Sequence, residues 1–432
     1  MKIAVLISSY DGSQVPYKNL DPEYDPSKYL PDHHCTLFRI VKATAVRQLI
    51  EIARQGFDVV INLCDGAWDE DRAGVEVIQT LERLNLAFTG AGAAFYDPSR
   101  EAMKMACQAV GVLFPAYVVA RNAADVSRAL NELRFPMIVK HPNSYSSIGL
   151  TRDSRVTEAE SLHRETARMI EQFGAALIEE FIEGREFTVL VTEPRDQQEY
   201  VWALTPVEFC FPTGESFKHF DLKWKAFDSM ETRVVKDAAL AERLMEAARL
   251  TFVALGGSGY GRCDLRMDEA GDIYLLEINP NCAVFYPEGQ FGSADFILAS
   301  DPAGHRGFLD HLLACALRRR DRAGNAVELR FDRTHGFRLF AARDISAGEI
   351  VERYETRLHV AAPLWRGEWR PLDHSCEPNL RPEGLHLAAR RNIAAGEALT
   401  IDYHTLTDVL TETFTCHCGA HNCRRIIQRI EN

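Results

Sequence analysis

The stretch "GRCDLRMDEAGDIYLLEINPN", residues 261–281, decides how the rest of the chain is read. "DEAGD" is a polar turn between two apolar runs, which spells a hairpin. Side chains alternate along a strand, so Arg262 and Asp264 share one face, and Glu277 and Asn279 share one face. Folding about Ala270 brings Asp264 opposite the Glu277 region. Three oxygen-bearing side chains then gather beside an arginine. Hard oxygen ligands with open positions suit Mg²⁺ bound jointly with a phosphate. Solvated strand-end charges would use the same residue types. The apolar run "YLLEI" weighs against that, because it delivers Glu277, Asn279 and Pro280 to one spot.

Upstream, "RFPMIVKHPNSYSSIGL" (134–150) is a buried strand ending in Lys140. A loop with Asn143, Ser144, Ser146, Ser147 and Gly149 follows. Small hydroxyl and glycine residues let backbone N–H groups approach phosphate oxygens. A lysine leaving a strand before such a loop is placed as a phosphate counter-charge. An ordinary turn would look similar. "ALIEEFIEGREFTVLV" (176–191) reads as strand, glycine turn at Gly184, strand. It is a plain hairpin, or else Glu179 and Glu186 meet an adenine amino group and ribose hydroxyls.

These segments, in this order, resemble the ATP-grasp superfamily and within it the D-alanine–D-alanine ligase branch. The resemblance covers roughly residues 1–320 and includes "DVVINLCDGAWDEDRAGVEVIQTLERLNLAFTGAG" followed by "DPSREAMK". It implies Arg100 or Lys104, with Lys140 and the loop of Ser146, Ser147 and Gly149, on the ATP phosphates. It implies Glu179 and the backbone near Ile182 at adenine, and Glu186 at ribose. Asp264, Glu277 and Asn279 would hold Mg²⁺, and Arg262 would stabilise the oxyanion. "FDLKWKAF" (220–227) resembles the family's mobile loop, with Lys223 reaching the transferred phosphate. The implied chemistry is ATP-dependent ligation of a carboxylate to an amine through an acyl phosphate.

The substrate end departs from that branch. "NPNCAV" puts Asn281, Cys282 and Ala283 where Thr-Ser-Pro-Gly is usual. "CDGAWDED" replaces the usual His-Gly turn, and Tyr145 replaces a glycine in the phosphate loop. Tyr145, Asn281 and Cys282 are therefore the candidate substrate-contacting residues. The expected substrate is a different amino acid or a small peptide.

The C-terminal quarter reads differently. "PLDHSCEPNL" (371–380) carries Cys376, and "FTCHCGAHNC" (414–423) carries Cys416, Cys418 and Cys423. Four thiolates suit a structural zinc site. Four unrelated reduced thiols are the alternative. "THGFRLFAARDISAGEIVERYE", "DHSCEPN" and "RNIAAGEALTIDYH", followed by the cysteine tail, resemble a SET domain with its post-SET zinc motif. That resemblance implies S-adenosylmethionine (SAM) as methyl donor, Asp373 and His374 at the cofactor, Tyr403 as the active-site tyrosine, and the four cysteines on one zinc. Two positions depart from it. Arg338 stands where the opening motif has its second glycine, and Asp373 replaces an asparagine amide, removing a donor. Two readings stay open: a zinc-stiffened accessory or dimerisation module, and a SAM-dependent lysine methyltransferase, alone or acting after ligation.

The expected organisation is an α/β layer domain (1–98), two ATP-grasp lobes of α/β and α+β character (99–178 and 179–320), a mainly β SET domain (328–405) and a zinc tail (406–432). "ALRRRDRAGNAV" (316–327) reads as a charged linker. The polar segment 11–32, rich in proline and tyrosine, reads as a long lid or binding loop. A net charge of −13 over 432 residues argues against nucleic-acid and membrane-surface partners. The substrates expected are small molecules, in a cytosolic protein that forms a homodimer. Trp202, Trp365 and Trp369 are expected to be packing residues, with Trp224 on the mobile segment.

Overall fold

The computed structural model describes residues 1–143, 145–195, 201–322, 327–332, 336–353, 373–383, 386–405 and 413–427. Ser144, Trp365 and Trp369 lie outside the described residues. The chain divides into two compact units, Met1–Glu82 with Ala87–Ala316, and Arg83–Leu86 with Leu317–Asn432.

The larger unit begins with β1 (Lys2–Ser8), β2 (His34–Ile40), α1 (Ala45–Ala53), β3 (Val59–Leu63) and α2 (Val75–Arg83). The strands form a parallel sheet in the order β2-β1-β3. Residues Ile3 to Leu6 are fully buried, which explains why β1 reads as an unbroken apolar run: a parallel strand is covered on both faces. β2 has no such run and escapes a reading based on periodicity.

Next come α3 (Arg100–Val110), β4 (Tyr117–Ala120), α4 (Ala123–Glu132), β5 (Met137–Lys140), β6 (Arg155–Val156), α5 (Ala159–Phe173) and β7 (Ala176–Glu180). The four strands form an antiparallel sheet ordered β4-β7-β5-β6, with α4 and α5 packed against it. Ser99 caps α3 by accepting from the Ala102 N–H, and Gly111 ends it at φ +73°.

A second antiparallel sheet is ordered β11-β10-β8-β12-β13, with β9 also on β8. Its strands are β8 (Arg185–Thr192), β9 (Trp202–Ala203), β10 (Val207–Cys210), β11 (Glu231–Val234), β12 (Tyr260–Met267) and β13 (Ile273–Pro280). The short α6 (Phe220–Trp224) precedes β11, and α7 (Ala238–Ala254) packs on β8 and β13. Gly184 makes the β7–β8 turn at φ +132°, where a Cβ would fall 2.1 Å from the Met267 carbonyl oxygen.

α8 (Ser293–Ser300) and α9 (Gly304–Arg322) complete the run. The boundary between the units falls between Ala316 and Leu317, at the start of the charged stretch 316–327, but α9 runs on through it to Arg322. The helix continues through the arginine run because Phe308, Leu309, Leu312, Leu313 and Ala316 are buried at helical spacing and arginine is a good helix former. The segment 11–32 is also more than a surface loop: Val15, Tyr17, Tyr24 and Leu30 are buried, and Pro26–Tyr29 is a 3₁₀ turn.

The smaller unit holds short strands: β14 (Val327–Asp332), β15 (Gly336–Ala341), β16 (Ile350–Arg353), β17 (Asp373–His374), β18 (Leu380–Glu383), β19 (His386–Ala389), β20 (Thr400–Ile401), β21 (Phe414–Thr415) and β22 (Ile426–Ile427). Leu380, Leu387, Ile393, Leu399 and Ile401 form its core, against which Cys376, Cys418 and Cys423 pack. The tail is not wholly coil: β21 and β22 pair antiparallel.

Candidate active site

The β12–β13 hairpin has the register read from the sequence. Asp264 lies opposite Glu277 and Arg262 opposite Asn279, with a bulge between Asp264 and Leu265. The Asn279 Nδ2 donates to Asp264 Oδ2 at 3.3 Å and to Glu277 Oε1 at 3.2 Å. Arg262 donates to Asp264 through Nε at 3.1 Å and a terminal nitrogen at 2.9 Å, and Thr188 donates at 2.9 Å. Burial acts to raise the Asp264 carboxyl, but the Arg262 guanidinium outweighs it and holds it well below the usual carboxylate range. Glu277 is ion-paired with Arg100.

Around this hairpin stand the other cations. Lys104 and Lys140 both reach Glu179, at 2.6 and 2.5 Å, and Glu179 is 1% exposed. Burial acts to raise the Glu179 carboxyl; the two lysines bring it to about 2. Glu186 is held by Lys218 at 2.9 Å and by Arg266 at 3.3 Å. Lys223, half-buried and close to Arg262, is lowered to about 8, first by desolvation and then by Arg262. Seven cations (Arg100, Lys104, Lys140, Lys218, Lys223, Arg262 and Arg266) face four carboxylates (Glu179, Glu186, Asp264 and Glu277). The surplus of positive charge suits a polyphosphate.

Lys218 and Arg266 are absent from the sequence reading. Arg266 had a signal, since it follows Arg262 and Asp264 at alternate positions on one strand face. Lys218 had none, because it comes from the loop before α6. The Ile182 carbonyl accepts from Arg266 at 2.7 Å.

Ser146 and Ser147 both adopt φ near +60° and Gly149 lies at φ +75°. The Ser147 hydroxyl donates to the Lys218 carbonyl at 2.9 Å. Trp224 Nε1 donates to the Ser146 carbonyl at 3.0 Å, and its ring stacks on Tyr17 at 4.7 Å between centroids and 7° between planes. The Tyr17 hydroxyl donates to Glu70 at 2.8 Å. The N-terminal segment, α6 and the serine loop are thus laced together.

A cavity of about 310 Å³ opens beside Arg262, Lys223 and Asn279, and Tyr145, Asn281 and Cys282 line it. Asn281 is 1% exposed at φ +50° and donates to the Cys64 carbonyl at 2.9 Å. Burial pushes the Cys282 thiol up to about 12, so it is not a thiolate near neutral pH. The same cavity is also lined by Tyr17, Asp21, Asp65, Glu70, Arg72 and Tyr286, none of them singled out by number from the sequence.

In the smaller unit the Sγ atoms of Cys376, Cys416, Cys418 and Cys423 lie within 4.8 Å of one another. None of them is in a disulfide. Backbone N–H groups point at the sulfurs: Arg424 to Cys376 at 3.3 Å, Cys376 to Cys418 at 3.5 Å, and Arg425 to Cys423 at 3.4 Å. His374 accepts from the Tyr403 N–H at 3.2 Å, and the two rings lie 5.1 Å apart. Asp373 is ion-paired with Arg338.

Comparison with known proteins agrees with the larger unit's geometry. A family model described as D-ala D-ala ligase C-terminus matches residues 106–283. The D-alanine–D-alanine ligase of Laribacter hongkongensis is 30% identical over 240 residues, which is 54% of this chain and 72% of that protein. The corresponding ligase of Hydrogenovibrio crunogenus is 31% identical over 241 residues, 55% of this chain and 71% of the relative. Among solved structures, a Bacillus anthracis D-alanine–D-alanine ligase complexed with ATP superposes with a TM-score of 0.53 at 20% identity, covering 75% of this chain and all of that one. The VanG D-Ala:D-Ser ligase of Enterococcus faecalis gives 0.53 at 17% identity, over 73% of this chain and 99% of its own.

Two antiparallel lobes around a carboxylate–amide–arginine hairpin, with this fold likeness, define the larger unit as ATP-grasp. The chain belongs to the D-alanine–D-alanine ligase family. It is an ATP-dependent, ADP-forming C–N ligase.

Proposed function

We propose that the larger unit joins the carboxylate of an amino acid or small peptide to an amine, with the side chains described above in specific roles. The observation that carries the assignment is the convergence of Asp264, Glu277 and Asn279 on one spot beside Arg262. The substrate carboxylate oxygen attacks the γ-phosphorus of ATP and ADP leaves. The amine nitrogen then attacks the acyl carbon, a proton leaves the nitrogen and phosphate departs. Arg262 stabilises the oxyanion of the tetrahedral intermediate, and Lys223 follows the transferred phosphoryl group. Arg100, Lys104 and Lys140 hold the phosphates, each exchanging part of its contact with Glu277 or Glu179. Glu179 and the Ile182 backbone meet the adenine, and Glu186 the ribose.

Three side-chain oxygens on adjacent strands fit Mg²⁺, with the Asn279 amide turned to present Oδ1. The metal would supply neutralisation of the phosphate charge during transfer. Tyr145 and Cys282 line the substrate space. Asn281 acts through the backbone it fixes.

D-alanine is the substrate in the names of the relatives. The run Asn281-Cys282-Ala283 and the bulky Tyr145 support a different amino acid here. The test is release of phosphate from ATP and Mg²⁺ with a panel of amino acids and dipeptides. No substrate-dependent ADP with any pair, together with no nucleotide binding, would defeat the proposal.

For the smaller unit we propose a zinc-stapled, SET-like accessory module. Zn–S bonds of about 2.3 Å place tetrahedral sulfurs about 3.8 Å apart. The 4.0 Å between Cys376 and Cys416 and the N–H groups aimed at the sulfurs support that ligand set. The Arg338–Asp373 pair favours the accessory reading over methyl transfer. The two positions that depart from the SET pattern satisfy each other, so Asp373 is already engaged where the resemblance expects SAM contact. Calorimetry of the zinc-loaded protein with SAM separates the two: measurable binding would restore the methyltransferase.

A further inference from the structure

The lining of the 310 Å³ cavity carries acidic groups as well as Arg262 and Lys223. Asp21, Asp65 and Glu70 line it, and Arg72 is paired with Asp65. Asp21 is held by two phenols, one oxygen accepting from Tyr10 and the other from Tyr286. Glu70 accepts from the Tyr17 hydroxyl and the Ala67 N–H. Among the described residues no cation bridges to the Asp21 or Glu70 side chain. Each carboxylate oxygen keeps a further acceptor site. Burial, with the charge of Asp65 nearby, raises both carboxyl groups above the usual range, and the Arg72 guanidinium offsets this only in part.

The lining is also aromatic. Tyr17, Tyr286 and Trp224 border the same space, and the Arg72 guanidinium sits 4.7 Å from the Tyr10 ring centre. Arg72 is 2% exposed, and its Nε has no partner. That donor suits a carboxylate or amide oxygen of the same bound molecule. Two carboxylates without an ion-pair partner of their own among π-faces match a cationic group, which both features attract.

We infer that one of the two ligated substrates carries a positively charged side chain, and that Asp21, fixed by Tyr10 and Tyr286, selects it. A basic amino acid supplies an α-ammonium and a second cation, one for each carboxylate. This inference rests on the ligase reading of the same cavity. The neutral isostere, with a butyl chain in place of the aminobutyl chain of lysine, leaves Asp21 buried against apolar atoms.

Calorimetry on the full chain with a non-hydrolysable ATP analogue and Mg²⁺ tests it, titrating lysine, ornithine, norleucine and glutamate in turn. The basic amino acids should bind at least tenfold tighter than norleucine. Asp21→Asn should abolish that preference while leaving nucleotide affinity unchanged. Tyr286→Phe should weaken it about threefold without loss of folding. Norleucine binding as well as lysine, or glutamate binding best, overturns the inference while the ligase reading stands. Absent nucleotide binding instead defeats the ligase reading, and this inference falls with it.

Discussion

At Glu179 one carboxylate stands between two lysines in a dry site, and the balance is unforgiving. Replacing it by glutamine leaves Lys104 and Lys140 buried without a counter-charge. Breaking a buried pair in this way costs about 3–5 kcal/mol, so Glu179→Gln should lower unfolding stability by that order in urea at pH 7. Its pH dependence has a definite sign. The folded carboxyl sits at about 2 against an ordinary 4.5. Its contribution is therefore complete above pH 4.5 and lost as pH falls toward 2. The gap between wild type and variant should narrow over that window. Glu277→Ala removes a proposed metal ligand instead. Phosphate release should fall by orders of magnitude, a far larger effect than the loss of unfolding stability from leaving the buried Arg100 without this partner. Asn281 differs again. Asn281→Ala removes one hydrogen bond from the buried Cys64 carbonyl, which keeps the one from the Tyr96 hydroxyl, a net cost of about 1 kcal/mol. Denaturation should reveal it, whereas a direct substrate role would raise KM with stability unchanged.

The β12–β13 hairpin was legible in the sequence because all its information is local. Period-two alternation fixes which side chains share a face, and a glycine-containing turn fixes which strand meets which. The cations that complete the site were only partly legible. Arg266 shares the strand face of Asp264, but its partner Glu186 sits on β8, and that pairing is a long-range event. The same holds for the Tyr17–Trp224 stack, which joins elements some two hundred residues apart. An aromatic pair contributes about 0.5–1.5 kcal/mol beyond its buried area. Trp224→Ala also removes the hydrogen bond to Ser146. It should raise the amino acid KM about tenfold, read by steady-state phosphate release, with a smaller change in kcat. A lowered stability with KM unmoved would mean that the stack serves packing alone. The arginine run in α9 was half legible: charge patterning marked the boundary between the units after Ala316, but not the helix that burial of Leu312 and Ala316 carries on to Arg322.

The two compact units make different stability arguments. The larger has continuous apolar strands and several helices, enough to bury its own core. The smaller has strands of two to six residues, and its cysteines pack against its hydrophobic cluster. Metal would then supply much of its folding energy. Elemental analysis should find one zinc per chain, and Cys418→Ser should reduce it. A chelator should lower one calorimetric transition while the transition reporting nucleotide binding stays in place. Coincident loss of both transitions would show that the units unfold as one.

By itself the sequence determined the β12–β13 hairpin, the lysine that ends β5 and the four-cysteine set. Each is encoded in short spacing, where strand alternation and thiol chemistry leave few alternatives. Only the tertiary structure decided what those groups face. It paired Lys104 and Lys140 with one carboxylate, set Arg338 on Asp373, and brought Tyr17 and Asp21 of the N-terminal segment to the lining of the cavity beside Arg262. Those contacts depend on chain segments brought together from far apart, and charge and burial at such meetings are not written in any local pattern.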